Sequence, residues 1–488
     1  MLPKSTAVSD AGLHTGRNHP LHYLYVVLCY VTSAVFGLLY LSSIMVCALV
    51  SSVNKPKSSA KLEQSNRTGS SSRWRPRLRR SFDTEEHSNT DYRSTDFMGP
   101  EFPALDEKQS ILRFDLRYYV QLQGYDLEEH TVITKDGFHI VLQHIVVPGE
   151  SHAAASRRFP VLLLHGLLQS AAAYCTSGND SLAFYLVAAG YDVWLGNNRC
   201  GFRPSHEDFG RLSLGMWAWR IQEMGHYDVQ ALLDYVVLKA LAKTPKVALV
   251  AHSQGTAQTF LALAAESPTL VTLSDRLACF VALSPAVYTG PLVRSWFLGF
   301  IRHLSLSTYR LLFGHHAYMA IMMYMHSIFP AKLYSRLGYL MFRYMFGWTD
   351  ALWDQRYRDR QLLFSPVYVS AELMFWWLGH GGFADRGCLF HHDRADTPWF
   401  DAQFPPLQMF VPGEDNLVDP QRLVERLRTV ESTAMRNPVD VVNLPEYAHL
   451  DVLWAKDAVY RVGAPMNHFI KSVLPQGRDW LVNDDDSE

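Results

Sequence analysis

Lys246-Val247-Ala248-Leu249-Val250-Ala251-His252-Ser253-Gln254-Gly255-Thr256 is the stretch on which the reading of this chain turns. An apolar run of strand length stops at a turn that carries Ser253, and a helix-forming stretch continues to about Glu266. A strand, a sharp turn presenting a nucleophile and then a helix form an elbow, with Ala251 standing where the first Gly of Gly-x-Ser-x-Gly usually stands. Small residues at 251 and 255 let the strand and helix backbones approach each other. Taken alone the pentapeptide is common by chance, so its surroundings must carry the argument.

Outward from this stretch, the chain alternates short apolar runs with helical patterns. His130 to Thr134 and Phe138 to Val146 alternate across Lys135-Asp136-Gly137, which predicts a β-hairpin. Further strands are expected at Pro160–Leu164, Asp192–Leu195, Cys279–Ser284, Leu407–Val411 and Val439–Leu444. Runs that are apolar on both faces and separated by helices describe buried parallel strands, so the expected class is α/β with a mostly parallel central sheet. Chemistry in such sheets gathers just past the carboxyl ends of the strands.

Three such ends carry suitable groups. Past Leu162-Leu163-Leu164 comes His165-Gly166-Leu167-Leu168, a Gly turn from which the Leu167 N–H can meet a developing oxyanion. The N–H of Gln254, the residue after the nucleophile, is the expected second donor. Past the 407–411 strand lies Glu414-Asp415-Asn416-Leu417-Val418-Asp419, and past the last strand Tyr447-Ala448-His449-Leu450-Asp451. The order Ser, Asp, His is that of α/β-hydrolases. The expected roles are Ser253 as nucleophile, His449 as base and then acid, and Asp415 as the group that orients the imidazole. Asp419 is an alternative orienting acid, and Asp451 reads as a structural hydrogen-bonding residue.

These segments resemble the acid lipase family, which includes gastric and lysosomal lipases and membrane-anchored steryl ester hydrolases. The likeness runs from Gly124-Tyr125-Asp126-Leu127-Glu128-Glu129-His130-Thr131-Val132 through His165-Gly166-Leu167-Leu168 and Ala189-Gly190-Tyr191-Asp192-Val193-Trp194-Leu195-Gly196-Asn197-Asn198-Arg199. It continues through Glu223-Met224-Gly225-His226-Tyr227-Asp228 and His252-Ser253-Gln254-Gly255-Thr256 to His449-Leu450-Asp451. The resemblance implies a serine hydrolase of lipid esters, with Ser253, Asp415 and His449 at the positions of the family triad. The chain departs from the usual pattern at Ala251 and at Cys200-Gly201-Phe202, where the family commonly continues Arg-Gly-Asn; the second departure would reshape the mouth of the site.

Composition sets the limits. The 488 residues are 48% hydrophobic and 13% aromatic, enough for a large core, and the net charge of −2 argues against a nucleic-acid binder working through a global basic field. Six cysteines without a CxxC pair fit neither a zinc ribbon nor a disulfide scaffold. Leu21 to Val50 contains no Asp, Glu, Lys or Arg and is long enough for a transmembrane anchor, about twice the apolar length of a signal peptide. Only Lys4 and Arg17 precede it, whereas nine Lys/Arg lie between 51 and 80, which predicts a single pass with the bulk of the chain cytosolic, at the endoplasmic reticulum, a lipid droplet or the plasma membrane. Glycosylation of the sequon asparagines Asn66 or Asn179 would overturn that orientation.

The expected organisation is a short tail (1–20), the anchor (21–50), a basic flexible linker (51–102), an α/β-hydrolase domain (103–480) with a cap insertion at about 288–404, and an acidic tail (481–488). Tyr288 to Thr349 has no acidic residue but carries Arg294, Arg302, Arg310, Lys332, Arg336 and Arg343 among many aromatics and methionines. That composition predicts a basic amphipathic cap over a lipid pocket, its cations resting on a lipid surface; a buried helical subdomain is the plain alternative. The expected activity is hydrolysis of a water-insoluble ester through an acyl-enzyme, with steryl esters first and triacylglycerols second, needing no metal or organic cofactor. The opposing expectation is a lipid-binding or scaffold protein that kept the fold and lost turnover.

Overall fold

In the computed structural model, residues 20–53, 111–390, 396–437, 439–475 and 478–482 are described. The tail before residue 20, the linker from residue 54 onward with its Arg73–Arg80 run, and the acidic end from 483 lie outside the described residues. The apolar runs become one eight-stranded sheet: β1 (Asp126–Ile133), β2 (His139–Val146), β3 (Phe159–Leu164), β4 (Tyr191–Gly196), β5 (Val247–His252), β6 (Leu277–Leu283), β7 (Leu407–Pro412) and β8 (Val439–Leu444). Their spatial order is β1-β2-β4-β3-β5-β6-β7-β8. The β1–β2 hairpin and the β2–β4 pair are antiparallel, and every other pair is parallel.

The central strands are apolar along their whole length because both faces are covered. Successive side chains of a strand point to opposite faces. Leu162, Leu164, Leu249 and Ala251 therefore enter one core, whereas Val161, Leu163, Ala248 and Val250 enter the other. All eight are fully buried, and each Leu or Val so buried contributes roughly 1.5–3 kcal/mol.

Helices cover both faces and extend the fold: α1 (Pro20–Val53), α2 (Leu116–Gln121), α3 (Leu182–Ala188), α4 (Gln230–Lys239), α5 (Gln254–Ala262) and α6 (Leu270–Arg276). Between β6 and β7 the chain leaves the sheet and builds α7 (Leu306–Phe313), α8 (Ile321–Ile328), α9 (Ala331–Phe346), α10 (Arg358–Leu363) and α11 (Ala371–Leu378). Leu311–Ala331 is thus divided between helices rather than forming one apolar rod. After β7 come α12 (Pro420–Thr429) and α13 (Ala464–Ser472). By length and composition α1 is the one helix among the described residues apolar enough to cross a membrane, over Leu24–Ser52.

Two of the cap cations find partners that the acid-free window could not reveal. Arg310 pairs with Glu372 at 2.5 Å and Arg336 with Asp359 at 3.8 Å. The acids arrive from α11 and α10, past the end of the window, so these two charges are partly neutralised within the protein.

Candidate active site

The turn between β5 and α5 holds Ser253 at φ +52°, ψ −116°, a left-handed conformation rare for a residue with a Cβ. Its N–H donates to the Leu283 carbonyl of the neighbouring strand at 3.0 Å, which fixes the bend. Leu168, Cys200 and Ser284, just past β3, β4 and β6, also have positive φ, so backbone strain clusters along this one rim of the sheet. A Cβ on Gly255 would come within 2.9 Å of the Leu164 and His165 carbonyls, which is why the helix can leave the turn only with glycine there.

The structure brings Ser253, His449 and Asp415 together. His449 Nε2 lies 2.8 Å from Ser253 Oγ, and its Nδ1 lies 2.7 Å from Asp415 Oδ2. The other oxygen of Asp415 accepts the N–H groups of Leu417 at 2.9 Å and Val418 at 3.1 Å. An anionic Asp415 can only accept, so Nδ1 carries the proton and the Nε2 lone pair faces the serine hydroxyl. The loops bearing the two groups are laced together: Gly413 N–H donates to Leu444, and Glu414 N–H to Tyr447. The backbone of His449 is held as firmly, its carbonyl accepting from Ser284 Oγ at 3.0 Å with His252 Nε2 3.1 Å away.

Asp419 sits elsewhere. Its carboxylate caps α12 by accepting the Arg422 N–H at 3.0 Å. Asp451 accepts from the Ala448 N–H at 2.7 Å and the Trp353 indole at 2.6 Å, tying the histidine loop to the cap. Burial pushes the Asp451 carboxyl up to about 6, against those two hydrogen bonds. A folded-state value above the ordinary carboxylate range means that the stabilisation is complete in acid and is lost as pH rises through about 6. Thermal melts of the wild type should therefore show a component that declines between about pH 4 and 6, and Asp451→Asn should flatten it.

Around the serine, the loop after β3 approaches closely. A Cβ on Gly166 would stand 3.1 Å from the Ser253 Cβ and 2.9 Å from His252 Nδ1. The loop that continues into Leu167 is thus packed against the nucleophile turn at Gly166, and Gln254 opens α5, where a first-turn N–H has no intrahelical acceptor. The Gln254 side chain is pinned by the Trp377 indole at 2.9 Å. Beside this loop Cys200, Gly201 and Phe202 line a cavity of about 380 Å³ with Ser170, Asn197 and Phe364.

Sequence reasoning missed Trp348. Its ring lies over the His449 imidazole, centroids 5.5 Å apart and planes 9° from parallel, and Phe346 and Phe342 of α9 stack behind it. Ser253 is 7% exposed and His449 2%, so the cap closes the site. The buried Trp348 N–H makes no hydrogen bond, so the indole is held by apolar packing and these stacks. The only signal in the sequence was one aromatic among many in the cap.

A second polar cluster lies at the hairpin edge, where the ligand atoms of Glu128, His130 and His144 fall within 4.8 Å of one another. His144 stacks on Trp194 and meets Asp192 at 2.6 Å. Burial lowers its pKa, but the hydrogen bond and charge of Asp192, with Glu128 beyond, win and raise it. The cluster thus suits an imidazolium between carboxylates.

Residues 116–178 match the model of the partial alpha/beta-hydrolase lipase region, and residues 160–320 match that of the alpha/beta hydrolase fold. Sterol esterase 2 of Saccharomyces cerevisiae is 38% identical over 72% of this chain and 71% of its own length. Human gastric triacylglycerol lipase is 30% identical over 70% and 86% respectively. The lysosomal acid lipase/cholesteryl ester hydrolase of Macaca fascicularis is 27% identical over the same shares.

Proposed function

Since this chain belongs to the acid lipase family of α/β-hydrolases, we propose that it is a serine hydrolase of lipid carboxylic esters, acting first on steryl esters. The observation that carries the reading is the unbroken path Ser253 Oγ, His449, Asp415, with 2.8 Å and 2.7 Å steps, beneath an aromatic cap. In this mechanism Ser253 attacks the ester carbonyl while His449 takes the hydroxyl proton, which it then gives to the departing alcohol. The N–H groups of Leu167 and Gln254 donate to the oxyanion, each worth on the order of 3 kcal/mol. Water then hydrolyses the acyl-enzyme, with His449 again as the base. Asp415 keeps the imidazole in its productive tautomer.

Steryl preference is supported by the likeness to the yeast sterol esterase; triacylglycerol is the second reading, supported by the gastric lipases. Hydrolysis of cholesteryl oleate and triolein side by side, by the purified full chain in detergent, decides between them. Faster release of oleate from triolein would reverse the order, and release from neither substrate by a folded sample would leave the scaffold reading. The apolar α1 and the basic stretch after it support attachment to a membrane or droplet surface with the hydrolase domain on the cytosolic side.

Trp348 predicts how the site answers to an interface. With Trp348→Ala the ring leaves the imidazole, and turnover of a water-soluble butyrate ester without lipid or detergent should rise several-fold. A loss of turnover in step with lost stability would assign Trp348 to packing instead.

A further inference from the structure

The geometry points to α1 lying in the plane of one lipid leaflet, docked lengthwise on the cap, so that helix and cap present a single lipid-binding face and the helix does not cross the membrane. This deepens the membrane attachment proposed above and rests on it. The side of α1 turned to the protein is a continuous stripe: Cys29, Leu41, Ile44 and Ala48 are buried, with Thr32, Ser33, Phe36 and Tyr40 between them partly covered. From Cys29 to Ala48 the helix rises about 29 Å, close to the ~30 Å hydrocarbon thickness of a bilayer. The cap therefore accompanies the helix for a full membrane depth.

The contacts are specific as well as long. The Thr32 hydroxyl is 2.9 Å from the Leu311 carbonyl in α7, and the Tyr40 hydroxyl donates to the Phe297 carbonyl at 2.5 Å. The Tyr30 and Tyr324 hydroxyls meet at 3.0 Å. Phe36 and Tyr40 both set their rings against Phe313. A Cβ on Gly37 would stand 3.0 Å from Ile321 Cγ2, so glycine is what permits the close approach to α8. Such partners for backbone carbonyls belong to a built interface.

An upright helix keeping these contacts would carry α7–α9 through the hydrocarbon. The exposed Lys332 and Arg336 of α9 would go with them, and a charged residue at bilayer depth costs about 2.5–3.5 kcal/mol on insertion scales. In the plane of a leaflet the conflict disappears. The outer stripe of Leu24, Val27, Leu28, Val31, Val35 and Leu38 is exposed and apolar. Trp296 and Leu333 of the cap are exposed as well, each beside an exposed cation, Arg294 and Lys332. Apolar side chains flanked by cations fit an acyl phase bordered by anionic headgroups.

Two measurements on the full chain in intact microsomal vesicles test this. Epitopes placed before Met1 and after Ser58 should be digested together by added protease without detergent; protection of the first until detergent is added would overturn the proposal. Oxidation of Gly37→Cys/Ile321→Cys should join α1 to α8 in the membrane. If that pair fails to fold, as judged by lost turnover of a soluble ester, a short bis-maleimide should instead join Tyr344→Cys to the native Cys47, whose thiol the Tyr344 hydroxyl reaches, leaving about one tyrosine side chain's length for the reagent to span. A folded, membrane-bound protein that forms neither link refutes docking. If both tests are met and the wild type hydrolyses no ester, only the proposed activity is lost.

Discussion

Ser253→Ala should lower ester turnover by about 10⁴–10⁶-fold while leaving the fold intact, because it removes the one oxygen that the imidazole can activate. The substitution keeps the Cβ, so the strained turn at φ +52° and its hydrogen bond to Leu283 are undisturbed. Residual catalysis would come from the Leu167 and Gln254 N–H groups and from binding alone. Asp415→Asn should cost about 10⁴-fold, since an amide can turn its NH₂ toward His449 and favour the wrong tautomer. A fluorophosphonate probe should label the wild type and not Ser253→Ala. Retention by Ser253→Ala of more than about 1% of wild-type hydrolysis would contradict a covalent role for this residue.

Local chemistry explains which features could be read from the chain. The central strands were legible because their residues are apolar on both faces, and the hairpin from its alternation about Lys135-Asp136-Gly137. Most ends shifted by one or two residues, as at Leu277–Leu283, but β1 begins four residues earlier than its apolar alternation, at Asp126. The convergence of Ser253, Asp415 and His449 was legible because each follows a strand in the parallel part of the sheet, and parallel strands bring their carboxyl ends to a common rim. Trp348 was not legible: nothing local distinguishes it from the eleven other tryptophans, and its place over His449 depends on how α9 crosses the rim. The pairing of Arg310 with Glu372 was hidden for a related reason, a partner 62 residues away on another helix. The docking of α1 lay further still from view. An apolar helix bound for lipid and one bound for a protein face have the same composition, and only the buried stripe from Cys29 to Ala48 tells them apart.

Arg199→Met should be the most destabilising single change near the site, costing about 3–5 kcal/mol. Arg199 and Asp228 are wholly buried and meet at 2.7 Å, and the guanidinium also reaches Asp136 at 2.8 Å. Stacking against Phe138 at 4.2 Å covers the cation from another side. Removal of the guanidinium leaves Asp228 in a fully buried site that already pushes its carboxyl upward and that only Arg199 opposes. The unfolding midpoint in denaturant should fall with little change in slope. Arg199→Lys should recover only part of the loss, because an ammonium cannot bridge two carboxylates with a planar fork. The damage should also reach the chemistry: the adjacent Asn198 donates its N–H to His165 and accepts from Gln258 of α5, so this node sets the loop that carries Leu167. Reduced kcat in the fraction of Arg199→Lys that remains folded, with KM little changed, would mark that coupling; unchanged kcat would confine Arg199 to stability.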